Sequence, residues 1–227
     1  APRELHLGRA FSGQRTHPAA VLSVLPAGIP AVAGTSDMAA SLLGSGVYEP
    51  GMASDSTGTS TLMTVVSSRP LHHPLVNNLH LANAAWGGFT ILDAGGDAVR
   101  WARLALAANQ ITPPQLLQEA AAVPAGAEGL LFLPYLTGER LAEHTNSRAQ
   151  FFGLQRKHRR GHLFRAVLEG VAFASWRNLR QLQKCGQYPQ QMIASGGGAR
   201  SPLWLEIKAA AYTLPRLSTR NQEKGVT

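Results

Sequence analysis

The stretch Gly34–Ala40, with the sequence GTSDMAA, lies between a short apolar segment and a segment rich in small residues. The apolar segment before it, 29–33, is predicted to form a buried β-strand, and Met38–Leu43 is predicted to form a helix. Ser, Thr and Asp at such a junction commonly accept a hydrogen bond from a backbone N–H and so cap the helix. The junction therefore predicts a strand–turn–helix unit in which Asp37 is either a capping residue or an acid available for chemistry.

The rest of the chain alternates between short apolar strands and helices. Two strands joined at Thr57–Thr59 are predicted within 52–67, and further strands are predicted at 79–82, 89–92 and 192–194. Residues 130–133 are predicted to form a buried strand. Helices are predicted at 97–107, 113–123, 162–184 and from Pro202 onward, whereas residues 1–28 show little periodicity and are predicted to be irregular. This alternation predicts an α/β fold, a mixed sheet with helices packed over it.

Composition bounds the class of protein. The chain has 227 residues, of which 44% are hydrophobic and 15% charged, as expected for one globular domain or one and a half. No apolar run is long enough to span a bilayer, so no membrane association and a cytoplasmic location are expected. The chain has a single cysteine, Cys185, which excludes an internal disulfide and is interpreted as a half-buried thiol. The histidines do not have the spacing of metal ligands, so no metal ligand is predicted.

The formal net charge of +8 is compatible with an anionic partner, either a nucleic acid or a phosphorylated small molecule. The basic residues are densest at Arg156–Arg160. This run is interpreted as a solvated loop that leads into a helix, with an anion site as the alternative. No aromatic residues interleave with it, which disfavours a surface for single-stranded nucleic acid.

Three glycine-bearing turns could hold phosphates. They are Asp55–Ser60 between two strands, Gly95–Gly96 before a helix, and Ser195–Pro202 between a strand and a helix. Bare backbone allows close approach of an anion, and a helix N-terminus offers free N–H groups and a favourable dipole. An ordinary polar hairpin is the commoner meaning of the first turn, and a structural turn is an equal alternative for the second, so each turn alone is weak evidence for a phosphate site. The third turn is not a P-loop, because the Lys-Ser/Thr ending is missing, and its glycine spacing is not that of a dinucleotide fingerprint.

Three segments resemble, in the same order, segments of the FGGY family of carbohydrate kinases, and within it the xylulokinase-like members. They are Leu131–Arg140, Phe152–Gly170 and Gly196–Trp204. The resemblance extends from about residue 17 to the end of the chain. It implies the actin/hexokinase-like (ribonuclease H-like) ATPase fold, in which two domains with related cores enclose a cleft.

The resemblance also implies roles for individual residues. Asp37 falls at the position of the family's catalytic base, which takes the proton from the sugar hydroxyl that attacks ATP. Glu139 and Arg140 are expected to brace the cleft. The residues expected to bind the nucleotide are Thr57, Gly58 and Thr59 at the terminal phosphates, Gly96 and Arg100 near the nucleotide, and Gly198, Ala199 and Pro202 beside the adenosine.

Such kinases are much longer than this chain, so the sequence is expected to be truncated at both ends. Residues 1–48 would be the tail of the sugar-binding domain and 49–227 an incomplete nucleotide-binding domain. The isolated fragment is expected to hold part of the nucleotide site and to be inactive. Magnesium is expected with ATP but is assigned to no residue, and a homodimer is an open possibility.

The implied function is transfer of the γ-phosphate of ATP to a small carbohydrate, with a ketopentose such as xylulose preferred. Gly34–Ser36 replaces a more glycine-rich run of xylulokinases, so another ketose, a polyol or an acid sugar stays open. A non-catalytic nucleotide-binding module of the same fold is the first alternative. A nucleic-acid-binding basic protein is the least favoured.

Overall fold

The computed structural model describes residues 21–24, 28–32, 34–81, 84–107, 111–139, 145–214 and 216–218. The strands are β1 Val21–Val24, β2 Pro30–Val32, β3 Ala53–Thr57, β4 Thr61–Ser67, β5 Asn77–His80, β6 Trp86–Leu92, β7 Leu131–Leu133, β8 Gln150–Phe152, β9 Met192–Ser195 and β10 Arg216–Ser218. The α-helices are α1 Asp37–Gly44, α2 Gly95–Ala107, α3 Pro113–Ala121, α4 Arg160–Lys184 and α5 Pro202–Tyr212.

The main sheet has six strands in the order β10-β9-β3-β4-β6-β5. Strands β10, β9 and β3 are parallel, whereas β3–β4, β4–β6 and β6–β5 are antiparallel pairs. Two smaller antiparallel sheets pair β1 with β2 and β7 with β8. The mixed α/β sheet predicted from the sequence is therefore confirmed.

Helices cover both faces of the main sheet. Met63 and Val65 of β4 lie in one core cluster with Leu179 and Leu182 of α4. Val66, which points to the opposite face because side chains alternate along a strand, lies in a cluster with residues of α1. Helix α4 continues past the sheet into the largest cluster, where it packs on α2, α3 and α5.

Most predicted elements are present, with shifted ends. The 162–184 helix begins two residues earlier, at Arg160, and ends before Gly186, whose positive φ of 80° suits a residue without Cβ. The prediction of irregular structure over residues 1–28 is wrong at β1. Strands β8 and β10 were not predicted, since three residues are too few to show a periodicity.

The prediction that 130–133 is a fully buried strand is also wrong. Phe132 is buried, but Leu131 and Leu133 are 47% and 44% exposed. Strand β7 belongs to a two-stranded sheet, where alternate side chains point away from the core. Similarly, Ile29, at the start of the predicted buried strand 29–33, is 57% exposed.

Cys185 caps the end of α4 and is half-buried, as predicted, and burial raises the pKa of its thiol. Within the described ranges, no helix combines the length and the apolar character that crossing a membrane would need. The same part of the chain contains no group of three or more His, Cys, Asp or Glu side chains placed to hold a metal ion.

Candidate functional site

The turn between β3 and β4 lies against the first turn of α2. The backbone N–H of Asp97 donates to the carbonyl of Thr59 at 2.9 Å, and the N–H of Gly58 donates within the turn to Ser60 at 2.9 Å. A Cβ at Gly96 would lie 1.9 Å from the carbonyl oxygen of Gly58. Only glycine, which has no Cβ, permits this close approach, so α2 can pack against the hairpin only with a glycine at position 96.

The third glycine turn lies on the other side of the same hairpin. Strand β9 runs parallel to β3 with Ser195 opposite Ser56, so both strands end at the same edge of the sheet. Gly196 has φ 76°, and its Cβ would lie 2.5 Å from the carbonyl oxygen of Thr57. A Cβ at Gly198 would lie 2.7 Å from the Cβ of Thr57. The structure thus brings the three turns together.

We call residues 57–60, 95–97 and 196–198 the three-turn cluster. Its residues and their neighbours differ in how exposed they are to solvent. Gly58 and Thr59 are exposed at the hairpin tip, Gly96 is partly buried, and Arg100 is exposed one turn along α2 and pairs with Asp97. Gly198 and Ala199 are buried, whereas Pro202 is exposed at the start of α5, where the Ser201 hydroxyl caps the helix.

The side chain of Thr57 points into the protein, where it cannot contact a bound phosphate. The residue is 1% exposed. Its hydroxyl donates to Asp55 Oδ1 at 2.7 Å, accepts from Lys208 Nζ at 2.6 Å, and lies 3.1 Å from the hydroxyl of Thr61. The hydroxyl is therefore engaged inside the protein, and the exposed part of the hairpin begins at Gly58.

A buried polar network extends behind the hairpin from Asp55. Lys208 Nζ donates to Asp55 Oδ1 at 3.1 Å and Oδ2 at 2.9 Å, and the hydroxyl of Tyr212 donates to Oδ2 at 2.9 Å. Asp55, Lys208 and Tyr212 are each at most 5% exposed. Burial, with the Asp55 carboxylate beside it, raises the pKa of Tyr212 well above 10.0.

Sequence reasoning missed this network. Two signals were present: a carboxylate, Asp55, inside a strand, and a lysine at four-residue spacing between Trp204 and Tyr212 on one face of a helix. Neither signal identifies its partner, because Asp55 and Lys208 are 153 residues apart in sequence.

Asp37 lies in the first turn of α1 and is exposed. The cap of this helix is Ser36, whose hydroxyl accepts from the N–H of Ala39 at 3.2 Å, so the capping role considered for Asp37 belongs to its neighbour. Asp37 Oδ1 accepts from the N–H of Met38 at 2.7 Å. Among the described residues, no lysine or arginine is paired with it.

Helix α1 packs away from the three-turn cluster. Its buried residues lie in a cluster with Val66, which is about 17 Å along β4 from Thr61, where the hairpin turn ends. The described contacts therefore do not bring Asp37 to the turns, and its role as a base stays a prediction.

Glu139 is 7% exposed and forms an ion pair with Arg177 of α4, whose guanidinium lies 5.6 Å from the centre of the Tyr135 ring. Glu139 therefore ties the segment after β7 to the longest helix. Arg140, which was expected to brace the cleft with it, lies outside the described residues.

The basic segment 156–160 forms a loop that runs into α4, as predicted. Lys157 Nζ lies 3.0 Å from Glu128, and Arg160 donates two hydrogen bonds to Glu119, which lower the pKa of that carboxyl. Arg159 donates to three carbonyls of the loop itself. Three of these cations are thus engaged within the chain.

The chain is similar to known proteins over most of its length. Residues 53–226 match the FGGY family of carbohydrate kinases, C-terminal domain. The xylulose kinase of Escherichia coli (strain K12) is 35% identical over 186 residues, which are 80% of this chain and 38% of that protein. The gluconokinase of Bacillus subtilis (strain 168) is 32% identical over 196 residues, 81% of this chain and 38% of that protein.

The crystal structure of xylulose kinase from Rhodospirillum rubrum matches with a TM-score of 0.79 at 34% identity, over 86% of this chain and 40% of that one. The chain thus spans about two fifths of the length of these relatives. The mixed sheet with flanking helices agrees with the actin/hexokinase-like fold that the sequence predicted. Since the match covers most of the chain, the chain belongs to the FGGY family of carbohydrate kinases.

Proposed function

We propose that this chain supplies the nucleotide-binding part of an ATP-dependent sugar kinase, which transfers the γ-phosphate of ATP to a hydroxyl of a small carbohydrate. The observation that carries this proposal is the meeting of three glycine turns at one edge of the sheet, where a Cβ at Gly96, Gly196 or Gly198 would overlap the hairpin. Phosphoryl transfer depends mainly on positioning and on neutralising charge, and closely packed main chain that is exposed at the hairpin tip suits that task.

In this proposal the exposed main chain of Gly58 and Thr59 faces the terminal phosphates, and the N-terminus of α2 adds its dipole. Arg100, exposed on α2, adds a positive charge. Gly198, Ala199 and Pro202 lie beside the adenosine. ATP supplies the phosphoryl group. Because the described residues offer no cluster of metal ligands, we assign Mg²⁺ to no residue of this chain.

Asp37 is proposed as the base that accepts the proton of the attacking sugar hydroxyl. A base must come within hydrogen-bond reach of that hydroxyl, and an exposed carboxylate without a cationic partner among the described residues is available for it. The sugar hydroxyl and the transferred phosphate must lie between Asp37 and the three-turn cluster, and domain closure in the complete kinase would keep water away from them.

Nucleotide binding tests the first part of the proposal. Calorimetric titration of the chain with Mg·ATP is expected to show binding, and Arg100→Ala is expected to weaken it about twofold to fivefold, the size of an exposed ion-pair contribution. Arg103→Ala, a second exposed arginine on α2, is the matched control and is expected to leave the affinity unchanged. Equal affinity of the wild type and Arg100→Ala would remove Arg100 from the site.

Phosphate transfer tests the second part. The complete protein that carries this chain is assayed against a panel of sugars, with the chain alone, expected to be inactive, as comparison. We propose xylulose as the substrate because xylulose kinases are among the relatives, and gluconate is the second candidate because a gluconokinase matches with 32% identity. Asp37→Asn is expected to bind Mg·ATP normally and to lose transfer. Binding without transfer to any sugar would favour a non-catalytic nucleotide-binding module.

A further inference from the structure

We infer that Asp55, Lys208 and Tyr212 are positioning residues that hold the β3–β4 hairpin in place for the nucleotide, a role that rests on the proposed function. Asp55 precedes the hairpin tip by three positions on β3. Lys208 and Tyr212 belong to α5, which begins directly after the third glycine turn. The network of Asp55, Thr57, Lys208 and Tyr212, here called the Asp55–Lys208 network, therefore joins two members of the three-turn cluster from behind.

The network is complete at its centre. Lys208 Nζ has three protons and makes three hydrogen bonds, with both oxygens of Asp55 and with Thr57 Oγ1, and it lies 4.5 Å from the centre of the Trp204 ring. The Asp55 carboxylate also accepts from Thr57 and from Tyr212. Each of these contacts fixes a direction as well as a distance, so the end of β3 is tied to α5 in one arrangement.

Stability alone does not account for such an arrangement. Removing a lysine and an aspartate from water costs several kcal/mol per ion, and apolar residues of similar size often stabilise a core equally well. In some proteins a buried, fully hydrogen-bonded ion pair specifies one geometry, and this is the contribution inferred for the pair here. Here the fixed geometry is that of the residues leading into Gly58 and Thr59.

The network also assigns Thr57 a role distinct from contact with the ligand. Its single hydroxyl proton goes to Asp55 Oδ1, and its oxygen accepts from Lys208. Thr57 then orients the hairpin, while the phosphates meet the main chain of Gly58 and Thr59, which is exposed.

The test uses Lys208→Met, which keeps the length of the side chain and removes its charge. Backbone hydrogen exchange is followed at 58–60, and Mg·ATP affinity is measured on the same folded variant. We expect exchange at the hairpin to accelerate at least about tenfold and the affinity to fall by about tenfold. The double variant Asp55→Asn/Lys208→Met removes both charges and is expected to recover part of each loss, because no uncompensated carboxylate remains buried.

Two controls separate positioning from general destabilisation. Lys157→Met removes a lysine paired with Glu128 at the surface and is expected to change neither quantity. Leu116→Ala removes a buried side chain in α3 and lowers global stability without touching the network. If Leu116→Ala accelerates hairpin exchange as much as Lys208→Met does, or if exchange in Lys208→Met is unchanged, the inference is overturned.

Should Lys208→Met fail to fold, Tyr212→Phe takes its place, since it removes one hydrogen bond to Asp55 and leaves the ion pair. Tyr212→Phe is expected to accelerate hairpin exchange and to lower the Mg·ATP affinity, each by about threefold. Unchanged hairpin exchange in this variant would contradict the inference. Absence of Mg·ATP binding to the wild type would refute the proposed function, and the exchange measurement would still decide whether the network holds the hairpin.

Discussion

Glycine positions carry most of the residue-scale information about the site. At Gly96 the carbonyl of Gly58 occupies the space that a side chain would need, whereas the Cβ position of Gly197, in the neighbouring turn, has no atom within 4 Å. The two glycines are therefore alike in the sequence and unlike in the structure. One is required for close approach of two backbones, and the other is replaceable.

Gly96→Ala is expected to lower the free energy of unfolding by about 3 kcal/mol, because a contact at 1.9 Å forces α2 or the hairpin to move. Gly197→Ala is the matched control and should change it by less than about 0.5 kcal/mol. Urea denaturation of the three proteins checks this. A Gly96→Ala protein as stable as the wild type would contradict the packing of α2 on the hairpin.

At the scale of elements, α4 organises the described part of the chain. Its apolar positions recur at three- and four-residue spacing, and many of them are buried. Arg165 and Glu169 form a buried ion pair on the same helix. Arg165 also donates to Ala120 O, and Glu169 also accepts from Gly126 N, so the pair contacts the chain outside α4. The helix thus joins the sheet to the packed α2 and α3 layer.

Two phenylalanines on α4 provide a matched test. Phe164 is 1% exposed within the largest core cluster, whereas Phe173 is 48% exposed. Phe164→Ala is expected to cost about 3–5 kcal/mol because it leaves a cavity, and Phe173→Ala less than about 1.5 kcal/mol. Denaturant unfolding measures both losses of stability, as shifts of the midpoint concentration with an unchanged slope of free energy against denaturant. Similar losses for the two variants would show that α4 is oriented differently.

At the scale of the whole molecule, the buried polar network couples stability to pH on the alkaline side. The raised pKa of Tyr212 means that, above pH 10, the folded protein keeps a proton that the unfolded chain releases. Stability therefore falls as pH rises through this range, and the contribution is fully present below it. Asp55, which accepts from the phenol and is paired with Lys208, and Ser175 are the polar groups that act on the phenol.

Tyr212→Phe is expected to abolish this part of the pH dependence. The difference in free energy of unfolding between wild type and variant should be constant below pH 10 and should shrink above it, as the wild type loses its contribution. Urea unfolding of both proteins across this pH range isolates the effect, because the other tyrosines are the same in both. A difference that stays constant above pH 10 would mean that Tyr212 is not buried beside Asp55.

Local sequence patterns predicted the positions of the helices, the β3–β4 hairpin and the three glycine turns, because capping, amphipathic spacing and turn chemistry act over a few residues. The resemblance to FGGY kinases, carried by three motifs, indicated which turns belong together. Exposure at β7 and the short strands β8 and β10 were not predictable, since they depend on pairing partners distant in sequence.

The sequence by itself determined that this is an α/β chain with glycine turns at the ends of its strands. Only the tertiary structure decided that Thr57 turns its hydroxyl inward. The same holds for the pairing of Lys208 with Asp55. Partners 153 positions apart leave no periodicity in the sequence, and a buried charge becomes stable only when the folded chain supplies its counter-charge.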